Sequence, residues 1–129
     1  MKIQSAPSGI SVARPGAADL KPWPGDARTN VSGDPETCGE FLWRSADGHS
    51  ASGVRKVTPG VFDTTYPWDE TFCILEGEVT LTDQDGESLN VRAGHQVFVP
   101  IGSTVCGDVK EKHRKVFHIR ADEPLGEAG

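Results

Sequence analysis

Short runs of β-forming residues, each closed by a turn signal, fill the sequence from Glu40 onward. The runs are EFLWRS, GVRKVT, ETFCILEG, EVTLTD, SLNVRA, HQVFVP, TVCGDV and KVFHIR. The segments between them are rich in Gly, Pro and Asp, and the Asp-Gly pair of TDQDGES is typical of a tight hairpin turn because it tolerates positive φ angles. No helical period persists beyond one turn. The pattern predicts an all-β protein built as an antiparallel sandwich or barrel.

Composition divides the chain into three segments within a single predicted domain. Residues 1–37 are rich in Pro, Gly, Ser and Asp, which indicates an irregular N-terminal arm with a short strand at Ile10–Ala13. Trp23 is expected to anchor this arm to the barrel or to a partner subunit. The β-rich residues 38–120 are predicted to form the barrel, and the acidic residues 121–129 a flexible tail.

The charge and the cysteines restrict the partners and the compartment. A net charge of −6 argues against binding of the nucleic-acid phosphate backbone. The N-terminus lacks the apolar stretch of a secretory signal, and no run of apolar residues is long enough to span a membrane. Cys38, Cys73 and Cys106 are scattered, which predicts buried, reduced thiols rather than disulfides or a zinc site. We therefore expect a cytoplasmic protein, and a homodimer because sheet edges and apolar faces need covering.

Several motif pieces occur in the order in which a known family carries them. They are PG at 59–60, Glu70, ILEGEVTLT at 74–82, AG at 93–94, VFVPIG at 97–102 and RKVF at 114–117. With these pieces the chain resembles the cupins, and more narrowly the small single-domain cupins related to ethanolamine-utilisation and ureidoglycine aminohydrolase cupins. The resemblance covers roughly residues 38–120. It implies a jelly-roll β-barrel with a pocket at one mouth, often in a dimer.

The resemblance also shows where this chain departs from metal-binding cupins. Such cupins hold their ion with a His-x-His pair, a Glu, and a further His after Pro-x-Gly. Glu70 matches the Glu, but Thr64 and Tyr66 stand at the first two His positions and Val105 at the third. With the motif shifted by one residue, the first two positions fall on Asp63 and Thr65. Because imidazole supplies most of the affinity for transition metals, we expect no cofactor and no tightly held metal. If a divalent metal is recruited, Glu70 and His118 are the remaining weak candidates.

The histidines of the chain offer little replacement for the missing ligands. Alternation along KVFHIR places Phe117 and Ile119 toward the core, which points His118 away from the pocket. His95 opens a predicted strand and is expected at the surface. His49 and His113 fall in predicted loops and are expected to be solvated.

At two positions the chain carries a residue that differs from those of its relatives, and both differences predict an altered pocket. Arg55 and Gly107 stand where the relatives carry Trp, and an inward-facing Gly107 leaves a hole of about indole size unless Trp68 or Trp43 refills it. If Arg55 faces inward, its guanidinium needs a carboxylate or an anionic ligand. Glu70 is the nearest candidate by the motif.

Asp69 is then expected outside the barrel, at the rim. The apolar neighbours of Glu70 are expected to raise its pKa, and an adjacent Arg55 to lower it.

The sequence therefore predicts a barrel pocket for a small polar or anionic metabolite. The residues predicted to contact the ligand are Arg55, Trp68, Phe72, Val105 and Gly107. Glu70 and Tyr66 are the candidates for a catalytic proton transfer. One alternative is a metal-assisted or metal-free enzyme of the aminohydrolase, isomerase or cyclase type that uses Glu70. The other is a non-catalytic structural or regulatory cupin whose pocket is filled.

Overall fold

The structure is a computed structural model that describes residues 4–5, 9–17, 20–23 and 28–125. This part of the chain contains eleven β-strands and one short 3₁₀ turn, Pro15–Ala17. The strands are β1 Gln4–Ser5, β2 Ser11–Val12, β3 Lys21–Pro22, β4 Arg28–Ser32, β5 Thr37–Arg44, β6 Ser50–Val57, β7 Gly60–Thr65, β8 Asp69–Thr82, β9 Ser88–Arg92, β10 Gln96–Val99 and β11 Thr104–Arg120. Across these ranges, the chain forms no helix with the length and apolar character needed to cross a membrane.

Two long antiparallel strands, β8 and β11, form the spine of the fold. The first half of β8 pairs with the second half of β11, with Phe72 opposite Phe117. The second half of β8 pairs with the first half of β11, with Leu81 opposite Gly107. The ladder shifts register between Val109 and Lys115, so both strands bend there. One continuous sheet thereby curls into two halves that share these strands.

The other strands extend the two halves. The first half has the order β10-β8-β11-β6-β5-β3. In the second half β9 pairs with β8, while β7 pairs with both β11 and β4. Each half turns one face inward, because side chains alternate along every strand. The fold is thus the all-β jelly-roll barrel that the sequence predicts.

The buried core follows this alternation closely. On β11 the buried positions include Val105, Val109, Phe117 and Ile119, with more exposed residues between them. Burying such side chains stabilises the fold by about 1.5–3 kcal/mol each. A charged residue, Glu70, is among the largest fully buried side chains. The barrel interior therefore contains polar groups that hydrophobic burial alone does not explain.

Parts of the predicted arm are strands of the barrel. β3 pairs with β5 and β4 pairs with β7, while β2 falls within the strand predicted at Ile10–Ala13. Trp23 packs against Phe41 and Phe117, with ring centroids 5.0 Å and 6.0 Å apart. The arm is therefore anchored to the barrel as predicted.

The long strands join segments that the sequence separates. ETFCILEG and EVTLTD form one strand, β8, because Gly77 bends the chain without ending the ladder. TVCGDV and KVFHIR likewise form β11, where KEKH is an irregular stretch of strand rather than a turn. PGVFDTTYPWD, which the sequence predicts as a turn-rich segment between two strands, contains β7.

The predicted hairpin turn in TDQDGES is present. Thr82 pairs with Ser88, and the Asp83 carboxylate accepts hydrogen bonds from the backbone N–H groups of Asp85 and Glu87.

The three cysteine thiols are less buried than the sequence predicts. Cys38, Cys73 and Cys106 are free but only partly buried, so their predicted burial in the core is wrong. They lie on strand faces that the core does not cover.

The predicted tail is partly ordered. Within it, Leu125 donates a backbone hydrogen bond to the Gly48 carbonyl, at 2.7 Å. The prediction of flexibility for residues 126–129 lies outside the described residues.

Gly77 is predicted to be indispensable at the bend. Its φ is 82°, and a Cβ placed there would lie 2.7 Å from the His113 Cα and collide with the Lys112 carbonyl. We expect Gly77→Ala to destabilise the protein through both the positive φ, about 1–2 kcal/mol, and the clash, about 1–3 kcal/mol. Urea unfolding measures the loss.

Gly86→Ala is the matched control for this prediction. Gly86 has nearly the same φ, 83°, but no atom within 4 Å of the added Cβ. It therefore reports the backbone cost alone. Equal losses for the two variants would show that β8 and β11 do not approach closely at the bend.

Candidate ligand-binding site

A cavity of about 100 Å³ lies inside the barrel between the two halves of the sheet. One water needs roughly 10–15 Å³ of such space, so the cavity has room for a small metabolite. The wall from the first half is polar and includes Thr37, Arg55, Glu70, His113 and Lys115. The wall from the second half is largely apolar and includes Phe62, Val79, Leu81 and Val105. This second wall also contains Arg28 of β4. The cavity is therefore amphipathic, with most of its charged side chains on the first wall.

A buried ion pair forms the centre of the polar wall. The Lys115 ammonium donates to Glu70 Oε2 at 2.6 Å, and the Trp68 indole N–H donates to Oε1 at 3.0 Å. Both side chains of the pair are almost fully buried, with 7% and 2% of their surfaces exposed. The ammonium also lies 4.2 Å from the centroid of the Phe72 ring, which adds a cation–π contact. Each carboxylate oxygen of Glu70 thus has a donor.

These contacts decide the ionisation of Glu70. Burial raises the pKa of this carboxyl, but the charges of Lys115 and Arg55 lower it, as do the hydrogen bonds from Lys115 and Trp68. The lowering effects are the stronger, and the pKa lies below its ordinary value. Glu70 is an ionised carboxylate, inside the barrel as predicted.

Arg55 faces the cavity, but it is not the hydrogen-bond partner of Glu70. Its guanidinium carbon lies 4.6 Å from the Trp23 ring centroid and 5.6 Å from that of Phe117. Its Nε is buried and has no hydrogen-bond partner among the described residues. The guanidinium is therefore held by aromatic rings and acts on Glu70 only through its charge.

His113 corrects the prediction of a solvated loop residue. It lies on β11, is only 4% exposed and lines the cavity. Burial lowers its pKa to about 3, and the charges of Lys115 and Arg55 act in the same direction. The imidazole is neutral near neutral pH, and its buried Nδ1 has no partner among the described residues.

Lys115 was missed by the sequence analysis, although a signal for it exists. The alternation that places Phe117 and Ile119 inward also places Lys115 and His113 inward, since all four positions are odd. Phe117 is the first apolar residue of this inward face, and the alternation continues before it through Lys115 to His113. A charged side chain that continues an apolar face is the signal that would have found the ion pair.

The space opposite Gly107 is occupied by Phe62. A Cβ placed on Gly107 would lie 2.8 Å from the tip of the Phe62 ring, which comes from the paired position on β7. Trp43 does not fill this space: it is exposed on the outer face and stacks on His118 at 6.0 Å. Trp68 lines the cavity but is held by Glu70.

The cavity mouth contains the residues that precede β8. Tyr66 lines the cavity, and its backbone exchanges hydrogen bonds with Gly102 and Ser103. The Asp69 carboxylate accepts a hydrogen bond from the Ile101 N–H at 2.8 Å. Asp69 therefore ties the mouth loop to β8 from outside the cavity.

The predicted site residues surround this one cavity. They are Arg55, Tyr66, Trp68, Glu70, Phe72, Val105 and Gly107.

The remaining histidines lie away from the cavity. His118 is exposed and shares a hydrogen bond of 2.9 Å with the Ser52 hydroxyl, so it points outward as predicted. His95 is exposed, as predicted, and accepts from the Arg92 N–H. His49 is only partly exposed, because its Nδ1 donates to the Ala121 carbonyl at 3.0 Å.

The residues of the cavity do not fit a tight transition-metal site. Nowhere in the described ranges do three His, Cys, Asp or Glu side chains come together in a way that could hold a metal ion. Glu70 already accepts from an ammonium and an indole, and His113 is the one imidazole on the cavity wall as described. The Lys115 and Arg55 charges would also repel a cation at this place.

The fold has close structural counterparts. The EutQ protein of Clostridium difficile superposes with a TM-score of 0.77 at 17% identity over 93% of this chain and 94% of that one. A putative ethanolamine utilization protein Q from Salmonella typhimurium gives 0.76 at 22%, over 92% of both chains. A protein of unknown function from Pseudomonas syringae pv. tomato gives 0.75 at 22%, over 92% of this chain and 51% of that one. At these identities the likeness shows the fold alone.

The sequence itself matches a family. No functionally curated protein matches it. The family model described as the EutQ-like cupin domain matches residues 44–117, which is more than half of the chain. The matched segment runs from the end of β5 to the middle of the second half of β11 and so contains Arg55, Glu70 and Lys115. The chain belongs to the EutQ-like cupin family.

Proposed function

We propose that this cupin binds a small organic anion inside its barrel, without a tightly held metal. The observation that carries the proposal is the Arg55 guanidinium, which lines the cavity and has a buried Nε without a partner. Arg55 is only partly buried, but a buried N–H without a hydrogen-bond partner costs free energy. Glu70 is already engaged by Lys115 and Trp68, so the partner of Arg55 must come from elsewhere.

The charges of the polar wall support an anionic ligand. Glu70 and Lys115 cancel each other as an ion pair, and His113 is neutral because its pKa is lowered to about 3. Arg55 then leaves an excess of one positive charge on this wall. A singly charged anion restores neutrality there.

The surroundings of Arg55 favour a carboxylate. Its guanidinium is packed by Trp23 and Phe117, which restricts the orientation of the planar fork. A fixed guanidinium forms two parallel hydrogen bonds with a carboxylate. The apolar wall opposite accommodates the hydrocarbon part of the same molecule.

In this proposal Glu70 holds the Lys115 ammonium and the Trp68 indole in place and does not transfer a proton. Both of its oxygens accept hydrogen bonds, and its pKa is lowered, so it is a weak base. For that reason we favour binding over the aminohydrolase, isomerase or cyclase alternatives that use Glu70 for proton transfer with Tyr66. The cavity of about 100 Å³ argues against a completely filled pocket.

The assembly and compartment are further parts of the proposal. We propose a cytoplasmic homodimer in which residues 38–120 form most of the barrel, β3 and β4 of the N-terminal arm pair with its strands, and a tail follows from residue 121. Large hydrophobic side chains such as Leu75 and Phe98 are 40% and 60% exposed, which supports a covered outer surface. Free thiols suit a reducing compartment.

Arg55 is expected to control anion binding. Titration calorimetry with butyrate should give a dissociation constant at least about tenfold weaker for Arg55→Met, since a charge-assisted hydrogen bond contributes about 1.5–3 kcal/mol. Lys56→Met removes the same charge from the next residue, on the other face of β6, and should bind like the wild type. Unchanged butyrate binding in Arg55→Met would contradict the proposal.

The Glu70–Lys115 pair is expected to behave as a unit. Glu70→Gln or Lys115→Met alone should destabilise the fold by about 3–5 kcal/mol, because each leaves an uncompensated buried charge. The double variant should recover most of that loss. Chemical denaturation of the four proteins gives the coupling energy. Additive losses would mean that the two groups are solvated separately.

His113 is expected to make stability depend on pH. The unfolded chain protonates His113 below its ordinary pKa of 6.5, whereas the folded chain resists protonation until about 3. Stability contributed by the neutral imidazole is therefore complete above 6.5 and falls as the pH decreases toward 3. Between about pH 7 and about pH 5 the loss should be roughly 2 kcal/mol.

The measurement is the free energy of unfolding at several pH values. His113→Gln should flatten the profile in this window, and His118→Gln, on the outer face of the same strand, should not. The Glu70 contribution is lost only below its ordinary pKa of 4.5, because its folded pKa is lowered. A wild-type profile that is flat from about pH 7 to about pH 5 would contradict the assignment.

A further inference from the structure

The polar atoms without partners are concentrated at the cavity. Four buried side-chain atoms lack a hydrogen-bond partner in the part of the chain that the structure describes, and they are Thr37 Oγ1, Glu40 Oε2, Arg55 Nε and His113 Nδ1. Three of these four belong to residues that line the same cavity. An unsatisfied buried polar group costs about 1–3 kcal/mol. Their clustering indicates that the ligand of the cavity carries more than one polar group.

The strand register gives the spacing of these atoms. Thr37, Val57 and His113 face one another across β5, β6 and β11. Arg55 lies opposite Lys115 in the next inward-facing row of the same strands. Successive inward residues on a strand are about 6–7 Å apart. The polar atoms of Thr37 and His113 therefore form a second group of contacts, displaced along the strands from the guanidinium.

The second group of contacts is suited to an uncharged polar group. The lowered pKa of His113, about 3, keeps its imidazole neutral, and the Thr37 hydroxyl carries no charge. Glu70 contributes a negative charge to the same wall, and the Lys115 ammonium is bound to it at 2.6 Å. Arg28 also lines the cavity, but its guanidinium donates to the Pro35 carbonyl at 2.7 Å and lies 5.1 Å from the centroid of the Phe62 ring. In the described part of the chain, a second carboxylate would therefore meet no further guanidinium with a buried nitrogen that lacks a partner.

We propose that the cavity selects short monocarboxylates that carry an uncharged hydrogen-bonding group at the end opposite the carboxylate. His113 and Thr37 are the specificity-determining residues for that group. The inference rests on the proposed function, in which Arg55 holds the carboxylate. With a cavity of about 100 Å³, the ligand is an acid of few carbons whose methylene groups contact the apolar wall.

Four probes of similar length test this inference by calorimetry on the wild-type protein near neutral pH. Butyrate ends in a methyl group, 4-hydroxybutyrate in a hydroxyl, succinamate in an amide and succinate in a second carboxylate. We expect 4-hydroxybutyrate or succinamate to bind about fivefold or more tightly than butyrate, the effect of one hydrogen bond. Succinate, nearly isosteric with succinamate, should bind at least about tenfold more weakly than succinamate.

Variants assign the preference to its residues. His113→Leu and Thr37→Val should reduce the ratio of 4-hydroxybutyrate to butyrate affinity toward one. Thr37→Val is nearly isosteric and guards against a folding defect in His113→Leu. Leu75→Ala, on the exposed outer face, is the control and should keep the wild-type ratio.

The outcomes separate the two proposals. If all four acids bind equally and Arg55→Met weakens them all, the proposed function stands and the selectivity is overturned, with water solvating the second group of contacts. If succinate binds best, the charge argument is overturned while the anion site remains. If none of the acids binds, the proposed function and the selectivity both fail.

Discussion

The buried ion pair between Glu70 and Lys115 is the constraint on which the interior of this barrel depends. Two charges taken out of water lose several kcal/mol of hydration each, and only close contact with further hydrogen bonds compensates for that. Here the contact is 2.6 Å, and the second carboxylate oxygen accepts from the Trp68 indole. Lys115 lies opposite Ile74 in the ladder, so its chain passes the Phe72 ring to reach Glu70. The pair thereby links the side chains of the two spine strands inside the barrel, in addition to the backbone hydrogen bonds that join them.

The pair also determines the electrostatics of the other cavity groups. Because Lys115 neutralises Glu70, the Arg55 charge is left without a carboxylate partner from this wall. Because Lys115 and Arg55 are both positive, they add to burial in keeping the His113 imidazole neutral. Metal-binding cupins have His side chains next to the equivalent Glu, whereas this chain has the Lys115 ammonium there. The same barrel then presents a cationic and neutral polar wall to its cavity.

Much of the fold could be predicted from local pattern. Alternation along KVFHIR correctly placed Phe117 and Ile119 inward and His118 outward, since the period of a strand is independent of its partners. Chain direction was harder to predict, because Gly77 and the KEKH stretch bend strands that the sequence suggests should end. Such bends depend on long-range pairing, which local composition does not encode.

The candidate site was predicted only in part, for a related physical reason. The motif position of Glu70 correctly placed it inside, but Arg55 was predicted as its partner because Arg55 replaces a Trp of the relatives, and Lys115 was not considered. His113 was assigned to a loop because the strand that carries it bends nearby. Phe62 was missed as the side chain opposite Gly107, since β7 lies in a segment rich in turn-forming residues. Each error concerns contacts between strands that are distant in the chain.

Trp23 gives the N-terminal segment a place in the chemistry of the barrel. This residue comes before β4, yet its ring lies against Phe117 and under the Arg55 guanidinium, directly above Gly39. The guanidinium is thus held both by the strand residue Phe117 and by a residue that lies outside the segment matched by the family model. A substitution at position 23 would therefore change how firmly the Arg55 guanidinium is held, while every residue of the strands stays the same.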